Sequence, residues 1–132
     1  MTSKLLLDVG LFALCIGLVS CERQISFTND VQPIFFKHCA ECHDQAGEGI
    51  TASGFSVRDY DSVMSGTKFG PVVIPGSSIS SSLYLLVAQK TAPEIQMPPH
   101  HKQSLSVGRG AALSEDKVEI IRSWIDQGAK NN

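Results

Sequence analysis

The clearest pattern of apolar and polar positions lies near the C-terminal end of the chain. Val118, Ile121 and Ile125 recur at the spacing of one helical face. Ser114 precedes this stripe as a candidate N-cap, and Gly128 follows it as a candidate C′ residue. The pattern therefore predicts a helix between these two polar boundaries, with one face buried.

A second apolar stripe, formed by Val31, Ile34 and Phe35, also has helical spacing. The polar residues 28–30 are candidate N-caps for it. We expect this helix to pack against the C-terminal helix through the three apolar residues. The stripe continues without a break to Cys39, so the same helix is expected to lead into the segment that begins there.

The middle of the chain predicts shorter elements. Residues 45–53 are rich in glycine and small side chains, which favours a loop. Residues 59–65 predict one or two helical turns stopped by Gly66. Residues 70–76 are apolar and extended, with a turn at Pro75-Gly76, and would cover the edge of a bound group.

A further helix is expected from Ser78 or Ser80 to about Lys90, because a serine cap precedes an apolar face. Residues 91–110 contain the next prolines and glycines and predict mostly loop. Taken together, the elements predict an all-α domain whose helices are joined by long loops.

Composition agrees with one small globular domain. The chain has 132 residues, 42% hydrophobic and 18% charged, which is not the composition of a disordered chain. The formal net charge is -2, whereas a nucleic-acid interface needs a clustered basic excess. We therefore expect no nucleic-acid partner.

Residues 1–20 resemble an export signal of the lipoprotein type. One lysine precedes a mostly apolar run that is too short for a comfortable membrane span. The run ends in Leu18-Val19-Ser20-Cys21, which resembles the bacterial lipobox, where the cysteine becomes the first mature residue and carries lipid. The alternative is cleavage by the general signal peptidase, which Leu18 fits poorly.

This interpretation divides the chain into a signal peptide (1–20), a tether (21–26) and one domain (27–130). It places the domain on the periplasmic side of a bacterial membrane, anchored by lipid on Cys21. Glu22 follows the anchor, and an inner-membrane retention signal usually involves aspartate, so the outer membrane is weakly preferred.

Candidate chemistry is concentrated in the pentapeptide Cys39-Ala40-Glu41-Cys42-His43. Cys-x-x-Cys-His is the attachment signature for c-type haem. Two thiols on one helical turn can add to the two vinyl groups of a porphyrin, and the next imidazole can then bind the iron. The motif predicts one covalent haem c held by Cys39 and Cys42, with His43 as an axial ligand.

Other uses of a Cys-x-x-Cys pair fit this chain less well. A zinc site needs four ligands, and a second Cys-x-x-Cys is absent from the sequence. A thioredoxin-like dithiol belongs in a βαβ setting, which the pattern does not predict. A structural disulfide between residues this close would close almost no loop and would stabilise little.

His43 leaves the sixth position of the iron to another residue. Met97 is preferred because it lies far along the chain in a loop stiffened by the two prolines that follow it. A methionine ligand favours the ferrous state and raises the reduction potential. His100, His101 and an open or water-filled position are the alternatives.

Other candidate residues have simpler interpretations. Met64 is expected in the core rather than on the iron, and His38 is expected at the surface or at the haem edge. Candidate partners for the haem propionates are Arg58, Lys68, Tyr84 and Arg109.

With these residues placed, the chain from Phe27 to Lys130 resembles a class I mono-haem cytochrome c, and most closely the small planctomycete-type cytochrome c domains. The segments that carry the resemblance are, in order, Asp30-Val31-Gln32-Pro33-Ile34, Cys39-Ala40-Glu41-Cys42-His43, Val73-Ile74-Pro75-Gly76, Ser82-Leu83-Tyr84, Met97-Pro98-Pro99, Leu113-Ser114, Trp124-Ile125 and Gly128-Ala129. The resemblance implies an all-α fold in which the N- and C-terminal helices pack together around one covalent haem, with Met97 as the distal ligand.

The function expected from these features is electron transfer rather than catalysis, with one redox protein as donor and another as acceptor. A fixed relay subunit in a membrane-attached dehydrogenase or oxidase is the main alternative. A haem ligand sensor or peroxidase-like site is a further alternative, and it requires the sixth position to open.

Overall fold

The structure, a computed structural model, describes residues 22–99 and 111–132. Its α-helices are α1 (Gln32–His38), α2 (Ala40–His43), α3 (Glu48–Ser53), α4 (Tyr60–Ser65), α5 (Ser82–Val87) and α6 (Glu115–Asp126). A π-helical turn (Phe27–Val31) precedes α1, and 3-10 turns lie at Ser78–Ser80 and Pro93–Ile95. The predicted all-α class is confirmed. The leader with Cys21, and residues 100–110 with His100, His101 and Arg109, lie outside the described residues.

The predicted pairing of the N- and C-terminal helices is present, and Phe27 is at its centre. The Phe27 ring centroid lies 5.5 Å from that of Trp124, 5.3 Å from Tyr60 and 6.4 Å from Phe35. Both Phe27 and Trp124 are buried in one apolar cluster with the predicted stripes of the two helices. The sequence pattern missed Phe27, because it precedes the residues that repeat at helical spacing.

The predicted N-caps at residues 28–30 are wrong, because the first helical segment starts earlier. Ser26 is the cap, and its Oγ accepts the backbone N–H of Asn29 at 3.1 Å. The Asp30 carboxylate in turn accepts the backbone N–H of Ser26 at 2.8 Å. This reciprocal pair satisfies two helix-end donors at once.

Packing also begins before the predicted domain boundary. Ile25 is buried, and its backbone N–H donates to the side-chain oxygen of Gln127 at 2.8 Å. Phe27 donates its backbone N–H to the side chain of Asn132 at 2.9 Å, and Thr28 donates to the Asn132 carbonyl at 3.0 Å. These bonds fix the start of the domain against its C-terminal end.

The C-terminal helix α6 has the predicted bounds. Ser114 occupies the N-cap position with an extended backbone, but its side chain makes no capping bond and instead accepts from Lys117 Nζ at 2.8 Å. Gly128, at φ 99°, provides the left-handed conformation that ends the helix. The Ala129 N–H then donates to the Trp124 carbonyl at 2.8 Å, which closes the helix end.

The prediction of a loop over residues 45–53 is wrong, because α3 occupies its second half. Gly47 is the extended N-cap residue of this helix, and Gly54, at φ 77°, ends it. Gly47 and Gly49, which indicated a loop, are therefore the N-cap residue and the second residue of a helix. The predicted turns at 59–65 are confirmed as α4, which Asp59 caps by accepting the Ser62 N–H at 2.8 Å.

The extended strip at 70–76 packs against helices and not against the candidate site. Val72 and Val73 are buried, and the Val72 carbonyl accepts the Leu83 N–H at the start of α5 at 3.0 Å. Gly76 donates to the Ile125 carbonyl of α6 at 2.8 Å. The strip therefore joins α5 to α6.

The predicted bounds of the helix after this strip are wrong at both ends. Ser78 and Ser80 lie in a 3-10 turn, and Ser81 is the residue that precedes α5. The helix ends at Val87 rather than near Lys90, because Gln89 has a left-handed backbone at φ 57°. Within residues 22–99 and 111–132, no helix is long and apolar enough to cross a membrane.

Candidate haem-binding site

The candidate site is a cavity of about 710 Å³ beside α2 and α3. This volume lies in the range of cofactor and ligand sites in proteins. The described residues that line it are Lys37, His38, Cys39, Glu41, Cys42, His43, Glu48, Gly49, Ala52, Met97, Pro98, Pro99 and Ala111. The cavity therefore contains all four residues that sequence analysis assigns to haem, three from α2 and its start and one from a distant loop.

One turn of helix brings the pentapeptide side chains to this cavity. The Cys39 N–H donates to the Phe35 carbonyl at 2.8 Å, which joins α1 to α2. The Cys39 carbonyl then accepts from Cys42 at 3.1 Å and from His43 at 2.9 Å. This turn holds both sulfurs and the imidazole on one short segment.

The state of the Cys39 sulfur disfavours a redox-active dithiol. Burial, with a smaller effect of the neighbouring Cys42, raises the pKa of the Cys39 thiol to about 12. The thiolate is the form that attacks disulfides or binds metal ions, and a pKa this high leaves almost none of it at neutral pH. Burial of the Cys39 sulfur therefore favours its uncharged form.

Two contacts with Phe55 fix the His43 imidazole, and one bond fixes its backbone. Nδ1 lies 3.1 Å from the Phe55 carbonyl oxygen, so the proton on this nitrogen is donated to that carbonyl. The Phe55 ring meets the imidazole edge to face, with centroids 5.3 Å apart. The His43 carbonyl accepts the Val57 N–H at 2.9 Å. With Nδ1 protonated, Nε2 keeps the lone pair that a metal needs.

Helix α3 approaches the pentapeptide closely, and glycine makes this possible. A Cβ at Gly47 would lie 2.4 Å from the Cys42 carbonyl oxygen. A Cβ at Gly49 would lie 2.5 Å from His43 Cε1. Neither position has room for a side chain while the two helices keep their places.

The Met97 loop is tied to the core before it reaches the cavity. The Met97 N–H donates to the Leu86 carbonyl at 3.2 Å, and its half-buried side chain packs against the core cluster. Gln96 Nε2 donates to the Thr91 carbonyl at 2.9 Å, which closes the loop on itself. Pro98 is buried beside the cavity. The backbone of Met97 is therefore fixed to the core where its side chain reaches the cavity.

Of two further residues considered in the sequence analysis, Met64 and His38, only His38 lies at the cavity. Met64 is half-buried against the core and is not among the described residues that line the cavity. His38 does line the cavity, and its Nε2 is buried without a hydrogen-bond partner among the described residues. Burial lowers the His38 pKa, and the charges of Lys117 and Lys37 lower it further.

The expected propionate partners that the structure describes lie away from the cavity. Arg58 pairs with Asp44 at 3.1 Å, Lys68 covers an aromatic ring at 5.2 Å, and the Tyr84 hydroxyl accepts from a lysine at 2.9 Å. None of the three is among the described lining residues.

Sequence analysis missed five lining residues: Lys37, Glu48, Gly49, Ala52 and Ala111. Lys37 could have been found, because it lies one position before His38 on a helix already expected to lead into the motif. Glu48, Gly49 and Ala52 were hidden by the wrong loop prediction, and no pattern in the sequence marks Ala111.

The donor set fits a covalently attached haem. Cys39 and Cys42 supply two thiols on one turn, His43 supplies an imidazole nitrogen and Met97 supplies a thioether, all on one cavity. The unpartnered Nε2 of His38 adds a polar atom that a bound group or a water molecule would satisfy.

These features are the ones expected of a cytochrome c-like domain. Residues 39–101 match the family model described as Planctomycete cytochrome C, and this match supports the cytochrome c-like domain that the sequence resemblance predicted. The match begins at Cys39 and includes His43 and Met97. The family implies a covalent haem c. No curated protein and no solved structure matches the chain.

Proposed function

We propose that this protein is a mono-haem electron-transfer cytochrome. In the proposal, Cys39 and Cys42 attach one haem c through thioether bonds, and His43 and Met97 are the axial ligands of its iron. The observation that carries the proposal is the single cavity on which these four side chains meet although Met97 is far from the others in the chain.

The protein's own contribution is to hold both ligands in one geometry. Haem iron supplies the redox chemistry, since it carries one electron in its ferrous form and releases it on oxidation. His43 keeps Nε2 available because its Nδ1 proton is held by the Phe55 carbonyl at 3.1 Å. The backbone N–H of Met97 donates to the Leu86 carbonyl at 3.2 Å, and this bond fixes the backbone that carries the thioether side chain. Fixed ligands favour fast electron transfer, because little structure changes between the two redox states.

A test of the ligands uses two methionine variants of the matured protein. We expect Met97→Ala to lower the reduction potential, to remove the methionine-to-iron charge-transfer band of the oxidised form and to let CO bind the reduced form. Met64→Ala is the matched control, since Met64 packs against the core and is absent from the described cavity lining. Its potential and spectrum are expected to stay unchanged.

The outcomes separate the candidate sixth ligands. If Met97→Ala keeps the spectrum and potential of the unmodified protein, the ligand is not Met97, and His100→Ala and His101→Ala are the next variants. CO binding to the unmodified reduced protein would favour an open position and a sensor-like function. Loss of the pigment on extraction with acidified acetone would overturn covalent attachment itself.

Export and lipid anchoring belong to the same proposal, and the leader sequence supports them. A mature chain that begins at Cys21 with attached lipid would carry several acyl chains, each buried CH₂ contributing about 0.8 kcal/mol to membrane binding. The redox donor and acceptor are then proteins that reach the periplasmic side of that membrane. Cys21→Ser is expected to move the protein from the membrane fraction to the soluble periplasmic fraction. An unchanged distribution would contradict the lipid anchor.

A further inference from the structure

The first turn of α3 lies directly against the imidazole of His43. A Cβ added to Gly49 would come within 2.5 Å of His43 Cε1, 2.7 Å of Nδ1 and 2.8 Å of the Cys42 carbonyl oxygen. All three distances are far below van der Waals contact. The missing side chain at Gly49 is therefore what lets the helix touch the ring.

The same helix also fixes the carbonyl that accepts the His43 proton. Ser53, at the end of α3, donates its hydroxyl to the Gly49 carbonyl at 2.7 Å. The same hydroxyl oxygen accepts the Phe55 backbone N–H at 3.1 Å. Because Phe55 supplies the carbonyl for His43 Nδ1, one hydroxyl links the helix turn beside the ring to the residue that orients the ring.

We propose that Gly49 is a positioning residue for the proximal ligand: its bare backbone supports the His43 imidazole and keeps Nδ1 bonded to the Phe55 carbonyl. This inference rests on the proposed function, in which His43 binds the haem iron. A ring fixed by iron cannot turn aside, so a methyl group at position 49 must push α3 away or lengthen the bond from Nδ1.

The expected electronic effect has a definite sign. Donation of the Nδ1 proton to a carbonyl makes the other ring nitrogen a stronger ligand. A stronger donor favours ferric over ferrous iron, so weakening this hydrogen bond raises the reduction potential. Changes in the partners of a ligating histidine commonly alter metal affinity by tenfold or more.

The experiment compares Gly49→Ala with Gly47→Ala in the matured haem protein. Both add a methyl group against the Cys42 carbonyl oxygen, but imidazole atoms are among the three atoms nearest to the added Cβ only at position 49. We expect Gly49→Ala to raise the ratio of reduced to oxidised protein about tenfold at fixed ambient potential, a shift of about 59 mV. We also expect its Nδ1 proton resonance to move. Gly47→Ala is expected to lose stability while both readouts stay close to those of the unmodified protein.

The outcomes are decisive in either direction. Equal shifts in the two variants, or no shift in Gly49→Ala, would overturn the inference. If Gly49→Ala yields no haem protein, Ser53→Ala decides, because it removes the hydroxyl link without adding an atom. A raised potential in that variant supports the positioning role, and an unchanged potential overturns it. If the unmodified protein has no low-spin haem with a histidine ligand, the proposed function itself fails, whatever the variants do.

Discussion

Replacement of Phe27 by leucine tests whether the terminal helices are held together by aromatic contacts. Phe27 is 2% exposed and touches the rings of Phe35, Tyr60 and Trp124. Leucine keeps most of the buried apolar surface and removes the ring. The variant therefore isolates the aromatic part of the packing, at a residue that is not among the described residues lining the cavity.

The expected loss follows from these three contacts. An aromatic pair contributes about 0.5–1.5 kcal/mol beyond the burial of area, so three pairs together contribute about 1.5–4.5 kcal/mol. A small domain has a free energy of unfolding of only about 5–15 kcal/mol. We therefore expect Phe27→Leu to remove a substantial part of the stability while the protein still folds.

The assay is guanidinium unfolding of the matured protein, monitored by far-UV circular dichroism. A loss in this range is expected to lower the midpoint by roughly 0.5–1 M at a typical slope for small proteins. Phe69→Leu is the matched control, because Phe69 is 82% exposed and its one aromatic-type contact in the described structure is with Lys68. Its effect is expected within about 0.5 kcal/mol. Equal midpoints for the two variants would refute the central place of Phe27.

Two further variants test polar contacts. Ser81→Ala removes a fully buried hydroxyl that accepts the Ile74 N–H and donates to the Ser77 carbonyl, both at 2.8 Å. We expect this change to lower the free energy of unfolding, measured in urea, by about 1–3 kcal/mol. The control Ser82→Ala changes an exposed residue and is expected to have almost no effect. The hydrogen bond from the Ser26 backbone N–H holds the pKa of the Asp30 carboxyl below its usual value. The ionised carboxylate therefore stabilises the folded protein above about pH 4, and this stabilisation is lost as the pH falls through the lower pKa of the folded state. Asp30→Asn is expected to flatten the fall of the urea midpoint in this acid range, and an unaltered slope would contradict that assignment.

Local signals in the sequence predicted the parts of the fold that local forces determine. The apolar repeat and the stop at Gly128 gave the bounds of α6, because a twelve-residue amphipathic helix carries its own pattern. The spacing within residues 39–43 likewise predicted the one helical turn that brings Cys39, Cys42 and His43 to the cavity. When a binding site needs side chains that are close together in the chain, their spacing in the sequence indicates the site independently of the rest of the fold.

The mispredicted parts of the fold depend on contacts between residues that are far apart in the chain. The strip at 70–76 has the same apolar character whether it covers a cofactor or joins two helices, and only its bonds to Leu83 and Ile125 distinguish these cases. Phe27 has no helical repeat before it, so its place between the terminal helices depends on Tyr60 and Trp124. Neither partner can be identified from local periodicity.

Helix α3 shows why the residues packed around the Cys39–His43 turn are harder to predict than the turn itself. Glycine inside a helix costs about 1 kcal/mol relative to alanine, so local propensity correctly indicates that Gly49 weakens this segment. Alanine at the same place would put a methyl group 2.5 Å from the His43 ring, a contact that costs more than the helix would gain. Gly49, which propensity identifies as a helix breaker, is thus the residue that allows the helix and the His43 imidazole to meet. The pattern along the chain reflects only the helix propensity of glycine. The steric cost of a methyl group arises from a contact between α3 and His43, which only the fold creates.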